Sequence, residues 1–338
     1  MRVYIGVDLH SNNSMIVVID ETGKVLYEKR LRNDLGLIVS ELERYRKRCA
    51  GVVVESTFNW YWLVDGLMEA GYEVHLANTA AIQQYKGIKH TDDRSDARWL
   101  AEMLRIKVLP EGHIYPKEDR AVRDLFRKRH QLVRQKTSQM LSIEDIVSRN
   151  AGVGISGNDV KTITESGLDQ LLPDPLVARA AKSNLRVYKC LAKEVIDLER
   201  TVLSRAKAVP GFEELLGVSG IGKTLGLTVL LEAGDMERFP GVGNFASYCR
   251  CAGSQKLSNG KRKGKGNTKN GNRYLAWAFV EAATFAIRYN PRVKRYYERK
   301  KAKTNGVVAV KAVANKLSRA CYHVLKEGVP FQVERAFA

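Results

Sequence analysis

The sequence predicts an α/β protein whose first third builds a sheet with added helices and whose remainder is largely helical. Three observations carry this reading: strand-like alternation early in the chain, helical spacing of apolar residues between about 120 and 205, and a Gly-rich basic stretch followed by two further helical segments. A length of 338 residues allows two modest cores joined by a helical connector.

Val3 to Asp8, Met15 to Asp20 and Lys24 to Arg30 read as three strands, and Glu21, Thr22 and Gly23 supply a tight turn between the second and third. They predict an antiparallel meander. Leu35 to Arg48 reads as one helix, because Leu35, Ile38, Val39, Leu42 and Tyr45 share a face. The apolar run Gly51 to Glu55 predicts a central strand covered on both faces. Trp60 to Ala70 is a second helix stopped by Gly71, Tyr72 to Leu76 a further strand, and Ser95 to Arg105 another helix. Three strands, a helix, a buried strand, a helix, a strand and a helix is the order of a ribonuclease-H-like fold.

From Arg120 to Arg205 the apolar positions Leu125, Leu132, Met140, Ile143 and Ile146 keep mostly helical spacing, interrupted only by the Gly-, Ser-, Asp- and Pro-containing run from Asn150 through Asp174. An antiparallel pair of long helices is expected, with Pro175 near the start of the second, forming a coiled-coil connector. Pro210 to Gly328 then forms a mostly helical carboxy-terminal part with helices at Tyr274 to Tyr289, stopped by Asn290 and Pro291, and at Val307 to Lys326. The expected domains are therefore 1–115, 116–207 and 208–338.

A net charge of +19 points to polyanionic partners without saying which, and so favours nucleic acid. Hydrophobic residues at 44% and charged residues at 28% describe a folded chain and exclude a disordered tail. The five cysteines include no repeated CxxC pair, so zinc is not expected and a reduced, cytoplasmic protein is. The first twenty residues are broken by Asp8, His10 and Asp20 and read as neither a signal peptide nor a membrane span.

Asp8 closes the first strand and Glu55 the buried one. If these strands are neighbours, both carboxylates emerge at one edge of the sheet, and Asp93 and Asp96, three apart at a helix start, share a face that converges on it. Either Asp92 or Asp93 can serve as the inner acid; the three-residue spacing to Asp96 favours Asp93. Such a cluster needs compensating charge, which magnesium supplies through hard oxygen ligands, and two ions about 4 Å apart would clamp both oxygens of a phosphodiester displacement. Singly, each acid also has a plain reading as a turn residue, a helix cap or a partner of the helix dipole.

Gly217 to Thr224, GVSGIGKT, matches a nucleotide-phosphate loop in letters, yet Pro210 to Leu216 before it looks like a short helix and not a buried strand. A helix-hairpin-helix is the better reading: Gly220, Ile221 and Gly222 present backbone amides, with Lys223, to a DNA phosphate. A purely structural turn is the alternative. The stretch from Ser254 to Arg273 carries Lys256, Lys261, Arg262, Lys263, Lys265, Lys269 and Arg273 and no acid, which suits sugar-phosphate contact or, more plainly, a solvated loop. Further on, Arg292, Lys294, Arg295, Arg299, Lys300, Lys301 and Lys303 interleave with Tyr289, Tyr296 and Tyr297, which either stack unpaired bases or pack locally.

Taken in order, YIGVDLH (Tyr4–His10), VVVEST (Val52–Thr57), TDDRSDARWLAEML (Thr91–Leu104), RDLFRKRHQLVRQKT (Arg123–Thr137), GVSGIG (Gly217–Gly222) and the stretch from Phe245 to Ala282 resemble the DEDD transposases of the insertion-sequence one-ten family over almost the whole chain. The resemblance implies a RuvC-like amino-terminal domain whose four acids fall on Asp8, Glu55, Asp93 and Asp96. It also implies a carboxy-terminal transposase domain with a nucleophilic serine, carried onto Ser258 in LSNGK with Ser254 as the second choice. A structured non-coding guide RNA that pairs with donor and target DNA is a further implication. Because several strand breaks must be held together, homodimers assembling into a homotetramer are expected. The competing readings are a Holliday-junction-type nuclease with no covalent intermediate and a non-catalytic nucleic-acid-binding scaffold.

Overall fold

The computed structural model describes residues 1–82, 92–206, 209–253, 255–265 and 270–338, and the chain divides into two compact units. The first comprises Met1–Lys117 and Lys256–Asn270; the second comprises Glu118–Gln255 and Gly271–Ala338.

In the first unit, β1 (Val3–Leu9), β2 (Asn13–Asp20) and β3 (Val25–Arg32) form the expected meander. The turn before β3 is built by Asp20, whose Oδ1 accepts from the Thr22 amide at 2.8 Å and the Lys24 amide at 3.1 Å, with Gly23 at φ +84°. The single helix expected over Leu35 to Arg48 is instead α1 (Leu35–Leu42) followed by a 3-10 segment, Glu43–Arg48. Tyr45 is the one buried residue of that segment; Arg44, Arg46, Lys47 and Arg48 leave no apolar stripe to hold a longer α-helix on the sheet. Next come β4 (Cys49–Glu55), α2 (Tyr61–Glu69), β5 (Val74–Ala77), α3 (Asp93–Arg105) and the short β6 (Glu111–Gly112).

The sheet order is β3-β2-β1-β4-β5-β6, with β4 parallel to both β1 and β5. Alternation along the strands assigns the two faces. Val3, Ile5, Val7, Ile16, Val18, Val52 and Val54 bury against Ile38 and Leu42 of α1 and Leu63, Val64 and Leu67 of α2. The opposite face presents Met15, Val17 and Ile19 to Ala97 and Ala101 of α3, and Val53 and Ala77 to Leu100 and Met103. Parity therefore turns Gly6, Asp8, Val53 and Glu55 towards the α3 side.

The second unit is helical. α4 (Lys117–Ala151) is followed by α5 (Gly157–Thr162) and α6 (Glu165–Leu171), so the run expected as a break holds two short helices, capped by Ser156 and Thr164. α7 (Pro175–Ala206) starts at the anticipated proline. Ile143 and Val147 of α4 bury with Val160, Leu168, Ala181 and Leu185, and Asn184 donates to Ser142 Oγ at 2.8 Å. Then follow α8 (Phe212–Leu216), α9 (Lys223–Ala233), α10 (Val242–Tyr248), the strands β7 (Gln255–Ser258) and β8 (Lys261–Lys265) of the Lys256–Asn270 segment, and α11 (Arg273–Tyr289). α12 (Pro291–Lys303), α13 (Gly306–Glu327) and α14 (Val333–Ala336) complete the chain. Phe245, Phe279, Ala282, Val313, Leu317 and Cys321 lie in the main core of this unit.

Candidate metal centre and nucleic-acid segments

β1 and β4 run parallel with Val7 opposite Val54, so Asp8 and Glu55 are adjacent at the carboxyl edge of the two strands and on one face. α3 is brought to that face by Gly6: a Cβ there would lie 1.9 Å from the Ala97 carbonyl oxygen and 2.8 Å from the Ala101 amide nitrogen. Asp93 precedes Ala97 by four residues and Asp96 precedes it by one, so the seating of Ala97 on Gly6 turns the acidic first turn of α3 towards Asp8.

The electrostatics record how close these acids come. Burial first, then a hydrogen bond and charge repulsion from Asp8, then Asp96, push Glu55 up to about 7. Burial, followed by Asp8, Asp93 and Asp92, raises Asp96 above the usual carboxylate range. Asp93 is held low instead, because Arg30 and His10 donate to it. The guanidinium of Arg30 lies 2.5 Å from Asp93 Oδ2, and His10 Nε2 lies 3.1 Å from the same oxygen and 3.4 Å from Asp8 Oδ2. Asp92 plays another part: it is the N-cap of α3, accepting from the Ser95 amide at 2.9 Å and the Ser95 hydroxyl at 2.7 Å. Asp8, Glu55, Asp93 and Asp96 thus lie together at one sheet edge, while Asp92 caps the helix beside them.

Among the described residues, Asp8, His10 and Asp93 offer ligand atoms that all lie within 4.8 Å of one another, a cluster able to coordinate a divalent metal. Carboxylate oxygens from Glu55 and Asp96 beside it make most of the nearby donors hard oxygen, which suits a divalent cation. Two residues escaped the reading of the sequence. His10 was legible only as a polar interruption of the first strand region, and nothing in the one-dimensional pattern ties Arg30 to an acid 63 positions away.

Ser258 is exposed at the end of β7, followed by Asn259 at φ +50° and Gly260 at φ +69°. Two central residues at positive φ, carrying Asn-Gly, are the two-residue hairpin turn, so the stretch expected as a loop contains a β-hairpin. Its signal, the Asn-Gly pair, was present in the sequence. The hairpin falls in the same compact unit as the sheet, where Asn78, directly after β5, donates to Asn270 at 3.2 Å. Lys261 and Lys263 are exposed on β8, which also contains Arg262 and Lys265; Ser254 and Lys269 lie outside the described residues. Arg273 opens α11 and stacks on Tyr274, 5.1 Å from the ring centre.

Gly217 is preceded by α8 and not by a strand, which removes the platform that a nucleotide-phosphate loop requires. Gly220, at φ +84°, faces α11: a Cβ would lie 2.1 Å from the Ala282 carbonyl oxygen. Its lack of a side chain therefore serves packing. Gly222 and Lys223 are the exposed members of the turn, beside a surface hollow also lined by Ser219, Trp277 and Phe285. In the basic tail, Tyr296 packs on Phe337 at 5.4 Å, whereas Tyr289 stays exposed. No helix of the described residues is long and apolar enough to cross a membrane.

A mixed α/β sheet that gathers acids and a histidine into a metal-competent cluster, joined to a mostly helical remainder, is consistent with the ribonuclease-H-like class. Comparison with known families narrows this. The DEDD transposase model of IS110 elements matches residues 5–149, and the model described as Transposase IS116/IS110/IS902 family matches residues 213–298. The transposase for insertion sequence element IS1111A of Coxiella burnetii (strain RSA 493 / Nine Mile phase I) is 23% identical over 336 residues, covering 96% of this chain and 87% of the relative. The chain is homologous to the IS110-family transposases, and this homology makes it an enzyme of the transposase and recombinase class.

Proposed function

We propose that the chain cuts and rejoins donor and target DNA with Ser258 as nucleophile and with Asp8, Glu55, Asp93 and Asp96 as the holders of two magnesium ions. The observation that supports this most directly is the convergence of Asp8 and Glu55 on adjacent parallel strands with the first turn of α3. Bound magnesium supplies Lewis-acid stabilisation of the charge that develops on phosphoryl oxygens. Burial first, and then the neighbouring acids, raise both Glu55 and Asp96, and a bound cation would offset that by favouring their ionised forms.

Ser258 Oγ attacks phosphorus and loses its proton, while the bond from phosphorus to the leaving 3′ oxygen breaks and that oxygen gains a proton. A 5′-phosphoserine link replaces one phosphodiester, so rejoining needs no external energy source. The exposed position of Ser258 at a hairpin end suits approach to a DNA strand, and its hairpin shares a compact unit with the acids. Lys261, Arg262, Lys263, Lys265, Lys269 and Arg273 bind the nucleic-acid backbone, and Gly222 and Lys223, with the amide of Gly220, form a second phosphate contact in a helix-hairpin-helix. A structured RNA of the element supplies sequence specificity by base pairing, and homodimers assemble into a homotetramer that holds the broken ends.

A recombination assay with purified protein, element RNA, donor and target DNA and magnesium tests the reading. Ser258→Ala is expected to abolish the DNA-linked adduct while DNA binding persists. Asp8→Asn is expected to abolish both adduct and product. Cleavage that survives Ser258→Ala without any adduct would instead identify a Holliday-junction-type nuclease, product formation by Asp8→Asn would remove Asp8 from the catalytic set, and a wild type that binds nucleic acid but neither cleaves nor joins it would leave only a scaffold.

A further inference from the structure

We propose that His10 is a ligand of the metal centre, making it a mixed nitrogen and oxygen site that favours later first-row divalent ions over magnesium. The inference rests on the metal-dependent reading above and adds to it a residue outside the four-acid set.

Geometry is the first support. Ligand bonds of about 2.1 Å place neighbouring donor atoms about 3.0 Å apart in an octahedron and about 3.4 Å apart in a tetrahedron. His10 Nε2 stands 3.1 Å from Asp93 Oδ2 and 3.4 Å from Asp8 Oδ2, each the spacing of neighbouring donors in one coordination shell, and the three residues offer ligand atoms within 4.8 Å of one another.

The backbone of His10 is the second support. Its carbonyl oxygen accepts from Asn33 Nδ2 and from Asn59 Nδ2, each at 2.9 Å, and its amide donates to the Asn13 carbonyl at the same distance. Bonds to three separate segments fix this residue directly after β1, so the imidazole reaches the site from an anchored position. The ring is 38% exposed, which leaves an ion a path to it. Arg30, whose side chain is half exposed, shares Asp93 Oδ2 with His10, so its guanidinium has open solvent beside it should an ion take that oxygen.

Imidazole nitrogen binds cobalt and its later neighbours far better than it binds magnesium, which is served by carboxylate and water. Titration calorimetry of the untagged full chain with Co2+ and separately with Mg2+ therefore tests the proposal, with the visible absorption of bound Co2+ as a second readout. His10→Ala is expected to weaken Co2+ at least about tenfold and to change its spectrum, while Mg2+ affinity stays within about threefold. His10→Gln, which keeps the size and polarity of the side chain, is expected to behave as His10→Ala does. Unchanged Co2+ affinity in both variants, or an equal loss for both ions, overturns the proposal. Asp8→Asn separates this from the underlying reading: if it binds both ions as the wild type does, the metal centre itself is lost, whereas if it binds neither and both His10 variants match the wild type, only the role of His10 falls.

Discussion

Gly6 sets the distance between the sheet and the helix that carries half of the acids. Ala97 and Ala101 are fully buried against β1, and any side chain at Gly6 meets their backbone and not a movable side-chain end. Gly6→Ala is therefore expected to cost about 1–3 kcal/mol, since a packed backbone gives way only by moving the whole of α3. Because Asp93 and Asp96 ride on that helix, the same substitution should weaken metal binding, by calorimetry, in a protein that still folds. A wild-type denaturation midpoint together with wild-type affinity would show that α3 does not depend on this contact. Residues of this kind mark where one-dimensional reading stops. Asp8, Glu55, Asp93 and Asp96 were legible because strand ends and helix spacing announce them, whereas the partner of a glycine is decided by a distant element. Gly220 teaches the same lesson, since its motif suggested an amide aimed at phosphate and its missing side chain makes room for α11.

The helices α4, α9 and α11 are joined by a buried polar knot. Arg127 donates to both oxygens of Glu232 at 2.6 Å, Asn272 donates to Glu232 Oε2 at 2.6 Å while capping α11, and His130 meets Thr228 Oγ1 at 3.3 Å under Trp277 and Tyr274. Burial, with help from Arg129, lowers His130 to about 4 from an ordinary 6.5. Between those values the unfolded chain binds a proton that the folded chain refuses, so this residue's contribution is intact above pH 6.5, is lost as pH falls towards 4, and is level below that. Glu55 acts in the opposite sense, since a carboxyl raised to about 7 favours the folded state as pH falls from 7 to 4.5. The clean measurement is thus a difference: His130→Asn should flatten the part of the stability profile between pH 4 and 6.5 that falls with acid, and an unchanged profile would place His130 elsewhere. Element boundaries were legible where local chemistry is one-sided, as at the Asn290 cap. They were missed where a signal has two uses: Pro291 was read as stopping a helix and also starts α12 as its first residue, and Asn259-Gly260 was absorbed into a basic loop although the pair specifies a hairpin.

Across the whole molecule, a net charge of +19 coexists with a local cluster of carboxylates, so the surface field attracts a polyanion while the acidic sheet edge locally opposes it. Salt dependence measures the first of these effects. Each duplex phosphate neutralised by a lysine adds about 0.9 to the slope of log affinity against log salt, and each single-stranded one about 0.7. Lys261 and Lys263, both exposed on β8, are expected to supply two such contacts. The double variant Lys261→Ala with Lys263→Ala should therefore lower the slope for duplex DNA by about 1.8, and it should weaken unrelated sequences equally, because phosphate contacts position a strand without reading it. Running the titration separately with element RNA and with duplex DNA assigns the hairpin to one polymer, since only the polymer it touches will show the reduced slope. A wild-type slope for both would mean that this basic hairpin faces solvent and that the positive field acts through other residues.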